Sequence, residues 1–174
     1  MTDINQKQKS VPQKPQRGLY LRKQDLRRGI ELLFFAYRDF TGEADRILSE
    51  LGLGRAHHRA IYFVGRQPQI TVSDLLSILN ITKQSLSRVL SHLLKEGYIA
   101  QQQGARDKRQ RLLSLTDKGM ALEAKLTEVQ CQRFAAAYSE RGGDAVVGFQ
   151  NVLASLINED ARLGLEQRYP DLFD

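Results

Sequence analysis

Cysteine is nearly absent from this chain of 174 residues: Cys131 stands alone, so no internal disulfide can form, and the composition fits a reducing compartment. Long apolar runs are missing too. None approaches the roughly 18 residues that would mark a membrane span, and the first residues lack the apolar core of a secretory signal. The expectation is a cytoplasmic protein with no membrane partner. Catalytic signatures are equally scarce. There is no phosphate-cradling Gly-x-x-x-x-Gly-Lys, no dinucleotide fingerprint, no His-Glu-x-x-His, and no histidine within one helical turn of Cys131. An enzyme is not expected, nor a cofactor. The histidines number three: His57, His58 and His92. The first two are neighbours that point in different directions on a helix, whereas a shared ion needs a spacing of three or four, so no metal site is expected.

What is present is 41% hydrophobic residues, enough for a sizeable interior in one domain or two small ones sharing a core. The net charge of +6 permits attraction to polyanions without naming one. Its distribution is more informative. Between Thr82 and Arg111 lie Lys83, Arg88, Lys95, Arg106, Lys108, Arg109 and Arg111 against only Glu96 and Asp107, so nearly all of the excess sits in this stretch.

Residues 1–18, MTDINQKQKSVPQKPQRG, are polar, basic and proline-containing, and read as a loosely held arm. Residues 19–54 hold a long amphipathic helix, its stripe formed by Leu26, Ile30, Leu33, Phe34, Tyr37, Phe40, Ala44, Ile47, Leu48 and Leu51 and its end marked by Gly52 and Gly54. A second helix over 56–65 is broken by Arg-Gln-Pro. Then come two helices with a tight corner at Asn80 and Ile81, capped by Thr71 and Thr82. The second buries Leu86, Val89, Leu90, Leu93 and Leu94, which leaves Ser85, Ser87, Arg88 and Ser91 on other faces. Two extended segments, 98–103 and 111–115, flank the tip GARDKRQ. Thr116 caps a helix ended by Gly142 and Gly143, and a final helix carries Val146, Phe149, Leu153, Leu156 and Ile157. The expected division is an arm over 1–18, a helix region over 19–54, a reading head over 55–115, closing helices over 116–165 and a tail over 166–174.

Helix, corner, helix and a two-stranded ribbon with a basic tip describe a winged helix-turn-helix. The expected class is mainly α (α+β), with long terminal dimerisation helices. A helix fits the major groove of duplex DNA, and its first turns aim short polar side chains at base edges. Thr82, Lys83, Gln84, Ser85, Ser87 and Arg88 are the candidates on the second helix: Gln84 can pair with adenine at two points, while Lys83 and Arg88 can reach phosphate or guanine. At the tip Arg106, Asp107, Lys108 and Arg109 are candidates, and either Arg109 or Arg106 can enter a minor groove. Asp107 would be repelled by phosphates if it faced them, so it must pair with a neighbouring arginine. The flanking helices hold more apolar surface than one small head can cover, so a second copy of the chain is an expected partner. An architectural or protein-binding winged helix is the competing reading.

The segments LSILNITKQSLSRVLSHLLKEGYI, RDKRQRLLSLT and LTDKG, set between long helices, resemble the MarR family of winged-helix transcriptional regulators over roughly residues 20–165. The resemblance implies a homodimer with interdigitated terminal helices, two recognition helices on a palindromic site, and in many relatives a small-molecule effector pocket. It also implies that Asp107 and Arg109 pair at the wing tip, with Arg109 entering the minor groove. Tyr37, Arg38, His57, His58 and Tyr62 are the candidate effector residues, against plain interhelical packing. The redox-sensing members carry their cysteine early in the first long helix, and this chain has none there.

Overall fold

A computed structural model describes residues 21–105 and 107–173, so the arm expected over 1–18 and the candidate Arg106 lie outside the described residues. The chain divides into two units, Met1–Tyr37 and Arg38–Asp174. Helix α1 (Lys23–Glu50) begins in the first unit, where Asp25 in its first turn accepts the Arg22 backbone amide at 3.3 Å and pairs with the Arg22 guanidinium at 3.0 Å. In that unit Leu26, Ile30, Leu32, Leu33, Phe34 and Phe35 are all exposed.

The second unit is built around one core. The later turns of α1 bury Thr41, Ala44, Ile47 and Leu48, and Gly52 then adopts a left-handed φ of 67° that stops the helix. Helix α2 (Arg55–Arg66) buries Ala60, Ile61 and Val64 beside them. A two-residue strand β1 (Ile70–Thr71) leads into α3 (Val72–Leu79), where the Thr71 hydroxyl oxygen accepts the Asp74 amide at 3.0 Å as a cap. Asn80 takes φ 47° and turns the corner into α4 (Lys83–Lys95), whose Leu86, Val89, Leu90 and Leu93 are buried. Strands β2 (Ile99–Gln103) and β3 (Arg111–Leu115) pair antiparallel from Ile99 opposite Leu115 to Gln103 opposite Arg111. Strand β1 adds to the far side of β3, giving the sheet order β1-β3-β2. This is a winged helix-turn-helix.

Helix α5 (Asp117–Arg141) is capped by Thr116 and buries Leu122 and Leu126, while α6 (Gly143–Ser155) buries nothing, leaving Val147, Phe149 and Val152 open. No helix among the described residues is long and apolar enough to cross a membrane.

The expected closing-helix region runs to 165, with a tail over 166–174. Helix α7 (Glu159–Arg168) spans that boundary, and a 3-10 turn follows over Pro170–Leu172. Long-range partners hold the segment. Arg168 donates to Asp74 Oδ1 at 2.7 Å and to Gln67 Oε1 at 3.3 Å. Tyr169 is buried, with its ring 6.3 Å from that of Phe63 and 5.1 Å from the Arg66 guanidinium, and Arg66 also bridges to Asp171 at 2.5 Å. The Arg168 guanidinium, opposed by burial and aided by Thr71, holds the Asp74 carboxyl below its ordinary range. That contribution is therefore present above the ordinary carboxylate pKa and is lost as pH falls through the depressed value. Arg168→Ala is expected to lower stability by about 1 kcal/mol, since the pair is partly exposed, and the melting temperature by roughly 2 to 4 °C. Thermal melts at pH 7 check this; an unchanged melt makes the bridge ornamental.

Candidate nucleic-acid interface

Helix α4 presents two chemically different sides because its leucines and Val89 recur at three-and-four spacing. With that side in the core, Lys83, Gln84, Ser85, Ser87 and Arg88 are all exposed. Thr82 is committed locally: its oxygen accepts the Ser85 amide at 3.2 Å, and its hydroxyl donates to Ser85 Oγ at 2.9 Å. The first turn of α4 carries no acidic residue, so its partial positive end is not offset from within.

The wing tip is a closed hydrogen-bonded loop. The Gly104 amide donates to the Gln110 carbonyl at 3.1 Å, and the Gln110 amide donates to the Asp107 carbonyl at 3.0 Å. Inside it Asp107 Oδ1 accepts from the Arg109 backbone amide at 2.9 Å and from Arg109 Nε at 3.2 Å. The acid thus faces an arginine of its own loop rather than solvent phosphates. The Arg109 side chain remains 93% exposed, so its remaining guanidinium donors are available to another molecule. Lys108 is exposed beside it. Among the described residues Lys83, Arg88, Lys108 and Arg111 form no ion pair, which leaves their charge uncompensated at short range.

The LTDKG stretch turns out to be the joint at the wing's base. Thr116 Oγ1 donates to the Gly97 carbonyl at 2.6 Å and accepts the Gly119 amide at 3.1 Å. Lys118 Nζ donates to the Glu96 carbonyl at 2.7 Å, closing the end of α4, and lies 4.1 Å from the centre of the Tyr98 ring. One tetrapeptide therefore ties the end of α4, the start of β2 and the start of α5 together. The spacing flags this stretch in the sequence, but the role of Lys118 does not show there.

Residues 51–110 match the MarR family model. HTH-type transcriptional regulator PetP of Rhodobacter capsulatus is 50% identical over 144 residues, covering 83% of this chain and 87% of the relative. The chain belongs to the MarR family. Solved structures of similar fold include Streptococcus pneumoniae FabT in complex with DNA, with TM-score 0.69 and 19% identity over 76% of this chain and 94% of that one. An uncharacterised SlyA-like transcription regulator from Listeria monocytogenes gives TM-score 0.64 and 21% identity over 81% and 92%.

The matched model spans α2 to the wing tip of this MarR-family chain, and the long flanking helices lie mostly outside it. The candidate effector residues fall in both units. Tyr37 lies exposed in the first unit. In the second, Arg38 binds Asp39 at 2.7 Å, His57 meets His92 at 3.0 Å, and His58 is a half-buried ring whose pKa burial pushes down. Tyr62 lines a shallow cavity of about 240 Å³ with Gly65, Arg66, Glu123 and Thr127, and Arg38, His57 and His58 are not in its lining. Pockets that enclose drug-sized molecules begin at roughly 300 Å³, so this cavity is small for an effector. Among the described residues no group of three metal-ligating side chains occurs. The His57–His92 pairing joins residues far apart in sequence, and no local signal announces it.

Proposed function

We propose that this chain is a homodimeric transcriptional regulator that binds duplex DNA selectively at an inverted-repeat promoter site. The observation that carries the reading is the wing: Asp107 fixes Arg109 from inside the loop while 93% of that arginine side chain stays open to an approaching surface. The exposed Lys83, Gln84, Ser85, Ser87 and Arg88 on α4 supply the complementary reading face, with Gln84 suited to adenine and the cations to phosphate or guanine. FabT, a structural relative, is known bound to DNA, which supports the same use here. The second copy is supported by apolar helix surface left open on one chain: Leu26, Ile30 and Leu33 in the first unit, and Val147, Phe149, Val152 and Leu156 on or beside α6 in the second. A twofold pair buries the same face from both chains and places two heads on one site, so the site is an inverted repeat.

Chromosomal fragments retained by the purified protein are expected to share an inverted repeat. Affinity for such a fragment is expected to fall with salt at a log–log slope on the order of −6 to −8, the slope for about four phosphate contacts per head. An architectural protein would show the slope without the shared repeat; a protein-binding module would show neither. Elution as a single chain at micromolar concentration would remove the twofold reading.

A further inference from the structure

Three groups stand outside the wing and the reading face: the Arg168 clasp, the small cavity at Tyr62, and two histidine rings where α2 meets α4. The rings carry the furthest inference. His57 is in the first turn of α2 and His92 is near the end of α4, one turn after Arg88. His57 Nε2 and His92 Nδ1 lie 3.0 Å apart with the rings at 83° to each other. The protons in this contact are decided by a third group. The Gly54 amide donates to His57 Nδ1 at 3.1 Å, so that nitrogen is a bare acceptor. The neutral His57 ring then carries its proton on Nε2 and donates it to His92 Nδ1, which must be bare in turn. His92 keeps its own proton on Nε2.

Both nitrogens able to take up a further proton are therefore already occupied as acceptors. A proton added to His57 Nδ1 meets the Gly54 N–H and releases the start of α2. A proton added to His92 Nδ1 meets the His57 N–H and separates α2 from α4. Adding both also sets two cations side by side. Most acids on the neighbouring elements are engaged elsewhere. The neighbouring helix α1 contributes Asp45, which is bridged to Arg55 at 2.6 Å. From α5, Glu123 acts on His58 and accepts from Thr127 at 2.7 Å. Helix α3 holds only Asp74, taken by Arg168, and β3 only Arg111. On α4 the cations Arg88 and Lys95 lie one turn from His92, and Glu96, the residue that caps the helix, supplies one carboxylate at the same spacing. Burial, and then the charge of His92, push the His57 pKa down, which agrees with a neutral His57 ring.

We infer that His57 and His92 form a proton-sensitive joint that positions the recognition helix α4 against α2, so that acidification loosens the reading head. The inference rests on α4 being the DNA-reading helix. With a folded His57 value below the ordinary 6.5, the joint is intact above that pH and is lost as pH falls through the depressed value. The sign is distinctive, because adding positive charge to a protein ordinarily tightens its hold on phosphate. Here acid weakens it.

The full-length protein is titrated from pH 8 to pH 5 at constant salt, with duplex affinity and the ring carbon and proton shifts of all histidines followed in parallel. The expected wild-type result is an affinity loss of about three- to tenfold below pH 6.5, with the His57 ring taking up its proton only below the ordinary histidine range. His92→Asn places an oxygen near the Nδ1 position that still accepts from His57 but never takes a proton, so it is expected to bind as the wild type at pH 8 and to lose most of the acid sensitivity. His92→Leu removes the acceptor and is expected to bind more weakly at every pH. Affinity that rises with acid, or a His92→Asn profile that follows the wild type, overturns the joint. If no duplex is bound at pH 8, the DNA reading itself fails, and a His57 ring that takes up its proton in the ordinary histidine range would then sink the joint separately.

Discussion

An alanine at position 119 is expected to lower the unfolding free energy by about 3 kcal/mol, and the melting temperature by roughly 6 to 12 °C. Gly119 is the third residue of α5, and its Cα faces the carbonyl of Tyr98 at the start of β2 so closely that an added methyl would overlap the carbonyl oxygen and press on the Leu115 side chain. The obstacle is backbone on one side and a helix start on the other, and neither can rotate away. The Thr116 cap to the Gly119 amide at 3.1 Å would have to lengthen, together with its bond to Gly97. A control of opposite sign exists in the same chain. Gly148, inside α6, has open space where a methyl would go, so Gly148→Ala is expected to be neutral or to stabilise by up to about 1 kcal/mol through helix propensity. Equal melts for the two variants would show that the close approach at Tyr98 is not a constraint on the folded chain.

That glycine illustrates which parts of the molecule could be read from residues alone. Helices α1, α2, α4 and α5 declare themselves because each has apolar positions at helical spacing and a local stop or cap: Gly52 with its left-handed φ, Thr82, Thr116 and Gly142. The ribbon declares itself by alternation, with Leu113 buried between neighbours that face outward or only partly inward. The residues ask only that Asp107 pair with a neighbouring arginine; that the partner is Arg109, two residues on in the same loop, is implied by the resemblance and not by the local pattern. Strand β1 escapes because two residues carry no period, and it exists only through pairing with Leu112 and Leu113 on β3. Helix α7 escapes because none of its residues is buried in the unit; it is held instead by Arg168 on Asp74 and by Tyr169 beyond its end. The same holds for the histidine pair, whose partners are 35 residues apart. Local periodicity reports the face an element buries, whereas an ion pair or a ring contact between elements depends on their relative placement.

Replacing Arg109 with alanine is expected to weaken duplex binding by about 1 to 3 kcal/mol for each wing that engages, and so by roughly twice that for a dimer using both wings. The arginine is already braced in the free chain. Its Nε is held by Asp107 at 3.2 Å and its backbone amide by the same oxygen at 2.9 Å, so the loop shape is set before any groove is met and little ordering is left for binding. The loss is expected to be larger on sites whose flanks are A·T-rich, where the narrow minor groove has the deeper negative potential. Arg109→Lys separates charge from shape: it keeps the cation but lacks the fork and the Nε–H that Asp107 accepts, so it is expected to recover only part of the affinity. Asp107→Ala removes the internal tie while leaving the cation, and is expected to cost less than Arg109→Ala because the guanidinium remains but must be ordered on binding. Gly104→Ala disturbs the same loop from its backbone side, since the added carbon would stand 2.8 Å from the Asp107 carbonyl oxygen. The ordering Arg109→Ala, then Arg109→Lys, then Asp107→Ala from largest loss to smallest is the signature of a braced arginine in a groove. Equal losses for all three, independent of flanking sequence, would instead make the wing a nonspecific patch of charge, and an unchanged affinity for Arg109→Ala would remove it from DNA recognition altogether.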